Sequence, residues 1–373
     1  MSFSPLAPED FVVSSDAISA TLWSNGSPTL TSFFTSSTQE AGSSGDFYLN
    51  IYQTASTDAA ASIQFAVAYG NADGSGSANY NGAVNGKSPT GTVFGQWQDL
   101  VIGDENTNFT FATITSSQFY ALTFDRARYK ESLFLGSLSL TLSGSSGSIT
   151  LTDDSNYVTA VQYTEAGRVF QLITGSQGVK ATIGNANTAE GYSKNSGSYG
   201  WLLPDIGSII LNPLALADFA TSGGIGFQYS GSASGSASPN TPPNRSMYQA
   251  ISGGASFTIN SQETITSDYV FVRPRSAEYN YSENPSYISG STGEVLYSYF
   301  INNPQTYIIT IGLYNDTNEL LAVAKLSRPL LKNFTKETLV RIKLDFWRAW
   351  VSLLNNLIFI REYLVKLWRE IAI

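Results

Sequence analysis

The 373-residue chain contains no histidine and no cysteine, which removes most of the side chains that move protons, attack carbonyls or ligate metals. A Ser–His or Cys–His nucleophile system is excluded, as is a His-ligated zinc or iron site. What remains is carboxylate acid–base work, a Ser–Lys pair, or a metal held by oxygen alone. Asp153-Asp154, ahead of Ser155-Asn156, could give oxygens to Ca2+, and Asp316, Asn318 and Glu319 invite the same thought. Neither group has the full ligand spacing of a calcium loop, and both read first as solvated turns. Asp104 and Glu105 are adjacent, so on a strand they point to opposite faces and make a poor acid–base pair. The run Gly70-Asn71-Ala72-Asp73-Gly74-Ser75-Gly76-Ser77 has the glycines of a phosphate loop but no following Lys, so it reads as a flexible loop. These residues point away from catalysis and imply no metal and no cofactor.

Other residues suit contact better than chemistry. Asp125-Arg126-Ala127-Arg128-Tyr129-Lys130-Glu131 is the first concentration of charge in the chain. It fits a strand exit with neighbouring charges paired. Equally, Arg126, Arg128 and Tyr129 are of the types enriched at protein interfaces. The stretch Tyr279-Asn280-Tyr281-Ser282-Glu283-Asn284-Pro285-Ser286-Tyr287 could stack on sugars or meet a protein, or be an ordinary Tyr-rich loop.

Composition agrees with a contact role. Charged residues make up 13% of the chain, about half the usual quarter, while 42% are hydrophobic and 13% aromatic. Charge is also unevenly spread. Residues 1–125 carry one Lys, Lys87, against eleven acidic side chains; residues 325–373 carry ten Lys and Arg against four. The acidic body argues against nucleic-acid binding. Met1-Ser2-Phe3-Ser4-Pro5 lacks the basic start of a signal peptide. No uninterrupted apolar stretch of about 18 residues predicts a membrane span.

Residues 1–45 are rich in Ser and Thr and read as an N-terminal arm. Apolar side chains then alternate over Phe47–Gln53, Ile63–Tyr69, Phe109–Ile114, Phe119–Phe124, Leu133–Leu142 and Ile149–Thr152, as in half-buried strands. Tyr157–Tyr163 and Arg168–Thr174 suggest a further hairpin. A first β domain over 46–182 follows. Residues 183–245, with Gly, Ser, Asn and Pro clusters, read as a linker or partner-facing loop. Strands resume over 246–345, and Tyr307–Tyr314 and Glu319–Leu326 flank the turn Asn315-Asp316-Thr317-Asn318. The fold class expected is mainly β, with two antiparallel β-sandwich-like domains and a C-terminal amphipathic α-helix.

That helix is predicted over 346–373. Trp347, Trp350, Val351, Leu354, Leu357, Ile358, Leu364, Val365, Trp368 and Ile371 recur at three- and four-residue steps. Leu353, Ile360 and Leu367 widen the stripe beyond half the helix circumference, while Arg348, Asn355, Glu362 and Arg369 line the opposite side. So wide an apolar face calls for two or more neighbours. Three coverings are open: a bundle with copies or other subunits, packing onto this chain's own β domains, or a membrane surface. Asn355, Asn356, Arg361 and Glu362 argue against crossing a bilayer.

Four segments carry a family resemblance: Ala68-Tyr69-Gly70 with Gly74-Ser75-Gly76-Ser77, Asp104-Glu105-Asn106-Thr107, Asp125 to Glu131, and Ile311 to Asp316 with Glu319 to Ser327. Over 46–152 and 290–345 the chain resembles structural proteins of contractile-tailed bacteriophages, nearest to those of cyanobacteria and other marine bacteria. The resemblance implies a virion component of the tail or baseplate, assembled in the host bacterial cytoplasm. Its partners would be copies of itself and other virion subunits, and no active site is implied. A receptor- or glycan-binding module, meeting a host-surface glycan, is the alternative. The resemblance fades near Asp345, which leaves the partner of the following helix open.

Overall fold

The computed structural model describes residues 3–35, 41–42, 45–74, 88–104, 106–181, 188–189, 192–193, 198–217, 224–227, 243–282, 284–315, 317–347 and 364–368. The chain is mainly β and divides into two compact units, one of Ser19–Glu263, the other of Met1–Ile18 with Thr264–Ile373.

The Ser19–Glu263 unit is built on a curled antiparallel sheet. Its principal strands are β1 (Leu49–Tyr52), β2 (Ile63–Asn71), β3 (Gln118–Phe124), β4 (Ser139–Gly144), β5 (Gly147–Asp153), β6 (Gly167–Ser176), β7 (Gly200–Leu203) and β8 (Ser208–Leu211). Across the sheet the order is Thr29–Leu30, Phe257–Thr258, β4, β5, β6, β7, β8, β3, β2, β1 and Phe34–Thr35. Successive side chains on a strand face opposite sides, and here both sides are covered. On β3, Tyr120, Leu122 and Phe124 enter one core with Phe65, Leu172 and Leu202, while Phe119 and Ala121 enter a second with Trp201 and Ile210. Strands buried on both faces read as near-continuous apolar runs, as β7 and β8 do.

Two helices cover those faces. Helix α1 (Pro89–Ile102) starts on Ser88, whose hydroxyl accepts the Gly91 N–H at 3.4 Å, and stops at Gly103 in the left-handed region, φ 77°. Its Val93, Phe94 and Val101 bury against Phe109, Phe111 and Phe119; the Phe94 and Phe109 rings meet edge-on at 5.8 Å. Helix α2 (Pro243–Gly254) adds Met247, Ala250 and Ile251 to the other core, where Trp23 and Phe257 pack at 5.2 Å. Neither helix is foreshadowed by a clear apolar stripe in the sequence.

Several expected boundaries fall differently. The arm at 1–45 supplies Leu22, Trp23 and Leu30 to the core. The expected linker at 183–245 contains β7 and β8 at the centre of the sheet, with Leu216, Ile225 and Phe227 buried beside them. Four-residue strands are too short for alternation to register, and their Gly- and Ser-rich flanks look like loop. The β4–β5 hairpin, by contrast, forms where expected, with Leu142 opposite Ile149.

In the other unit, β9 (Asn260–Val272), which enters it at Thr264, pairs antiparallel with β12 (Val340–Trp347). The hairpin of β10 (Thr306–Tyr314) and β11 (Leu320–Lys332) turns through Asn315, whose side-chain oxygen accepts the Glu319 N–H at 2.7 Å. Val270, Val272, Ile308, Ile311, Leu313, Val340 and Ile342 form the core. The amphipathic helix expected over 346–373 lies mostly outside the described residues, including Trp350, Val351, Leu354, Leu357 and Ile358. Its described parts are extended: Phe346 and Trp347 end β12, and Leu364–Trp368 forms β13, paired with β10.

Candidate interaction surface

The acidic pair Asp153-Asp154 is fully buried, which corrects its reading as a solvated turn. Both Asp153 carboxyl oxygens accept the Gly136 N–H at 3.1 Å, and one also accepts the Ser155 N–H at 3.3 Å. Asp154 accepts the Gln171 N–H from β6 at 2.9 Å. Next to them Thr152 accepts the Gly178 N–H at 2.7 Å, and Asn156 donates to the Gly178 carbonyl at 2.9 Å. These side chains tie three backbone segments together, a structural task rather than a catalytic one.

Two more of the candidates, Asp104 and Gly70, have structural roles. Asp104 caps its own turn, accepting from the Thr107 hydroxyl at 2.6 Å and the Asn106 N–H at 2.9 Å, and these bonds hold its carboxyl below the usual range. Glu105 and Asp316 lie outside the described residues. Gly70 is glycine because a Cβ there would strike the Phe119 ring at 2.6 Å, so packing explains it without a phosphate. Among the described residues no three acidic side chains gather to hold a metal ion.

The Arg126 cluster divides. Arg126 is exposed; its guanidinium sits 4.5 Å above the Tyr129 ring and donates to the Tyr129 carbonyl at 2.7 Å. Tyr129 is only 7% exposed and belongs to the core, its ring lying where a Cβ on Gly207 (φ 62°) would stand. Burial raises its hydroxyl pKa, partly opposed by Arg126. Tyr129 therefore anchors the strand exit and leaves the contact role to Arg126. Arg128 is half-buried, its Nε shielded from solvent with no hydrogen-bond partner among the described residues.

Two further features have no signal in the sequence, and a third gives form to the Tyr-rich stretch. Arg168 grips Asp205 through Nη2 at 2.6 Å and Nε at 3.1 Å, and its backbone N–H adds a bond at 2.9 Å. Burial opposes ionisation of Asp205, but these bonds outweigh it and hold the carboxyl below its ordinary value. Lys332 is wholly buried and donates to the carbonyls of Ser276 and Asn333 at 2.9 and 3.0 Å and to Asn280 Oδ1 at 3.1 Å. It pins the base of the Tyr-rich loop. Above that base, Tyr287, Tyr297 and Phe300 pack at 5.4–5.7 Å, and Tyr299, 59% exposed, lies 5.4 Å from Tyr297.

Surface apolar side chains are frequent in both units. In the Ser19–Glu263 unit, Tyr157, Val158, Val161, Tyr163 and Val179 are all exposed, Tyr163 by 71% and Val179 by 65%. Among the described residues, the short strand Gln162–Thr164 pairs only with β6. In the other unit, β11 turns Ala322, Ala324 and Leu326 to the core and leaves Leu321 and Val323 outward, Val323 57% exposed. No described helix is long and apolar enough to cross a membrane. Comparison with protein families, with characterised proteins and with solved structures finds no match to this chain.

Proposed function

We propose that this chain is a non-enzymatic structural subunit of a bacteriophage virion, of the tail or baseplate type, assembled in the host cytoplasm. The observation that carries the reading is the exposed apolar surface on open strands of both units, Tyr163 and Val179 in one, Leu321 and Val323 in the other. An exposed apolar patch on a strand edge is an aggregation hazard for a free protein and a docking surface for a subunit. The sequence resemblance supplies the kind of particle. In this reading the two β units are sandwich-like bricks whose partners are copies of the chain and other virion subunits. Between β12 and β13 the chain joins a helix bundle through Trp350, Val351, Leu354, Leu357 and Ile358, with Trp347, Leu364 and Trp368 on the flanking strands, and Arg126 with Arg128 adds polar contact. Leu357→Asp tests it: the β body folds as before, and incorporation into particles is lost. Unchanged incorporation would count against the bundle.

A second reading rests on the tyrosine platform of Tyr287, Tyr297 and Tyr299, of which the exposed rings, Tyr297 and Tyr299, are suited to stacking on sugar faces. It makes the chain a receptor- or glycan-binding module of the virion. Binding on a glycan array that disappears with Tyr299→Ala favours it.

A further inference from the structure

We infer that the exposed ribbon running from Tyr157 to Tyr163 is a self-association surface, on which two copies of this chain meet across a two-fold axis with their ribbons antiparallel. The inference rests on the subunit reading above and adds to it the partner and the orientation.

Charge selects the occupant. The chain carries a net −9, so two copies repel except where a face lacks acidic groups. From Asn156 to Tyr163 there is no Asp, Glu, Lys or Arg, and every one of these residues is exposed. Asp153 and Asp154, just before the ribbon, are buried, and Arg168, the cross-strand neighbour of Tyr163, is already engaged by Asp205. The ribbon is therefore a neutral window in an acidic molecule, and its tyrosines and valines are apolar enough to gain from being covered.

The two ends of the window carry opposite charges. At one end the Lys180 ammonium stands 5.0 Å from the Tyr157 ring, and the Lys180 N–H donates to the Tyr157 hydroxyl at 3.0 Å. At the other end Glu165, exposed, follows Tyr163 by two residues, its backbone held by the Val101 carbonyl at 3.2 Å. Lys180 pairs with Gly175 and Tyr163 with Arg168 on the same strand, so the ends are seven residues apart, roughly 23 Å at the rise of a strand. That exceeds the Debye length of about 8 Å at physiological salt, so Lys180 and Glu165 do not pair within one chain. A two-fold contact is isologous: whatever Lys180 of one copy meets, its counterpart meets in return. Antiparallel ribbons set each Lys180 against the other copy's Glu165, twice. Parallel ribbons would set like charge on like.

A patch of this size belongs with weak interfaces, so the expected dissociation constant is on the order of 10–100 µM. Sedimentation of the full chain at roughly 50 mM salt, over concentrations bracketing that range, reads it directly. Four variants accompany it, each checked for an unchanged melting curve: Val161→Lys, Lys180→Glu, Glu165→Lys, and the double exchange of the last two. Val161→Lys should abolish dimers, each single reversal should weaken them about fivefold, and the double exchange should restore them to within about threefold. A monomer throughout that range overturns the inference, as do dimers indifferent to Val161→Lys or a double exchange without rescue. A monomer that still enters particles sinks the self-association surface and leaves the subunit reading intact.

Discussion

Asp153 gives the sharpest test of how the Ser19–Glu263 unit is held together. Asp153→Ala removes the acceptor for two backbone N–H groups, those of Gly136 at 3.1 Å and Ser155 at 3.3 Å. Each N–H left without a partner costs about 1–2 kcal/mol, so the substitution should cost about 3 kcal/mol in all. Asp153→Asn keeps one carbonyl oxygen in place and should cost about 1 kcal/mol. For a unit of this size about 1 kcal/mol lowers the melting temperature by 2–4 °C, which predicts a fall of about 6–12 °C for Asp153→Ala. Urea unfolding checks the same quantity: the midpoint should drop while the slope stays constant, the sign that stability alone has changed. Asp153→Ala within 1 kcal/mol of the native chain, or no better tolerance of Asn than Ala, would refute the buried-tether account and restore the solvated turn.

Two further outcomes follow from the ionised groups. Lys332→Ala should cost about 3 kcal/mol, because three oxygens lose their donor in a closed site, and Lys332→Met should cost less by keeping the packed stem; paired melting curves decide it. Asp205, held below its ordinary pKa when folded, contributes stability that is present above about pH 4 and is lost as pH falls through the lowered folded value. Because the pair is partly exposed, the gap between the native chain and Asp205→Asn should be under about 1 kcal/mol at pH 7 and should shrink as the pH is lowered below about 4. A gap independent of pH would contradict that.

How much of this the sequence disclosed depended on length and flanks. Strands of six or more residues with one dominant pattern, such as β2, β3 and β10, are visible as alternation or apolar runs. Trp201-Leu202-Leu203 and Ser208–Leu211 resemble linker in sequence because four residues between glycines and prolines carry no period. Helix α1 hides for a related reason: Thr, Gly and Gln occupy part of its buried face, so no stripe stands out. At the candidate site, Tyr129 is a contact residue by type alone. Only its position against Gly207 shows it to be core. The Arg168–Asp205 grip and the burial of Lys332 come from residues 37 and 52 or more positions apart, which no local pattern reports.

A chain built into a particle, rather than working alone, is present in every particle at a set copy number. Quantitative mass spectrometry of gradient-purified phage particles, washed with high salt to strip adsorbed protein, measures its copies per particle. A fixed whole-number stoichiometry that survives the wash is the expected result. Abundant free chain in the lysate beside particles that contain none would contradict the account.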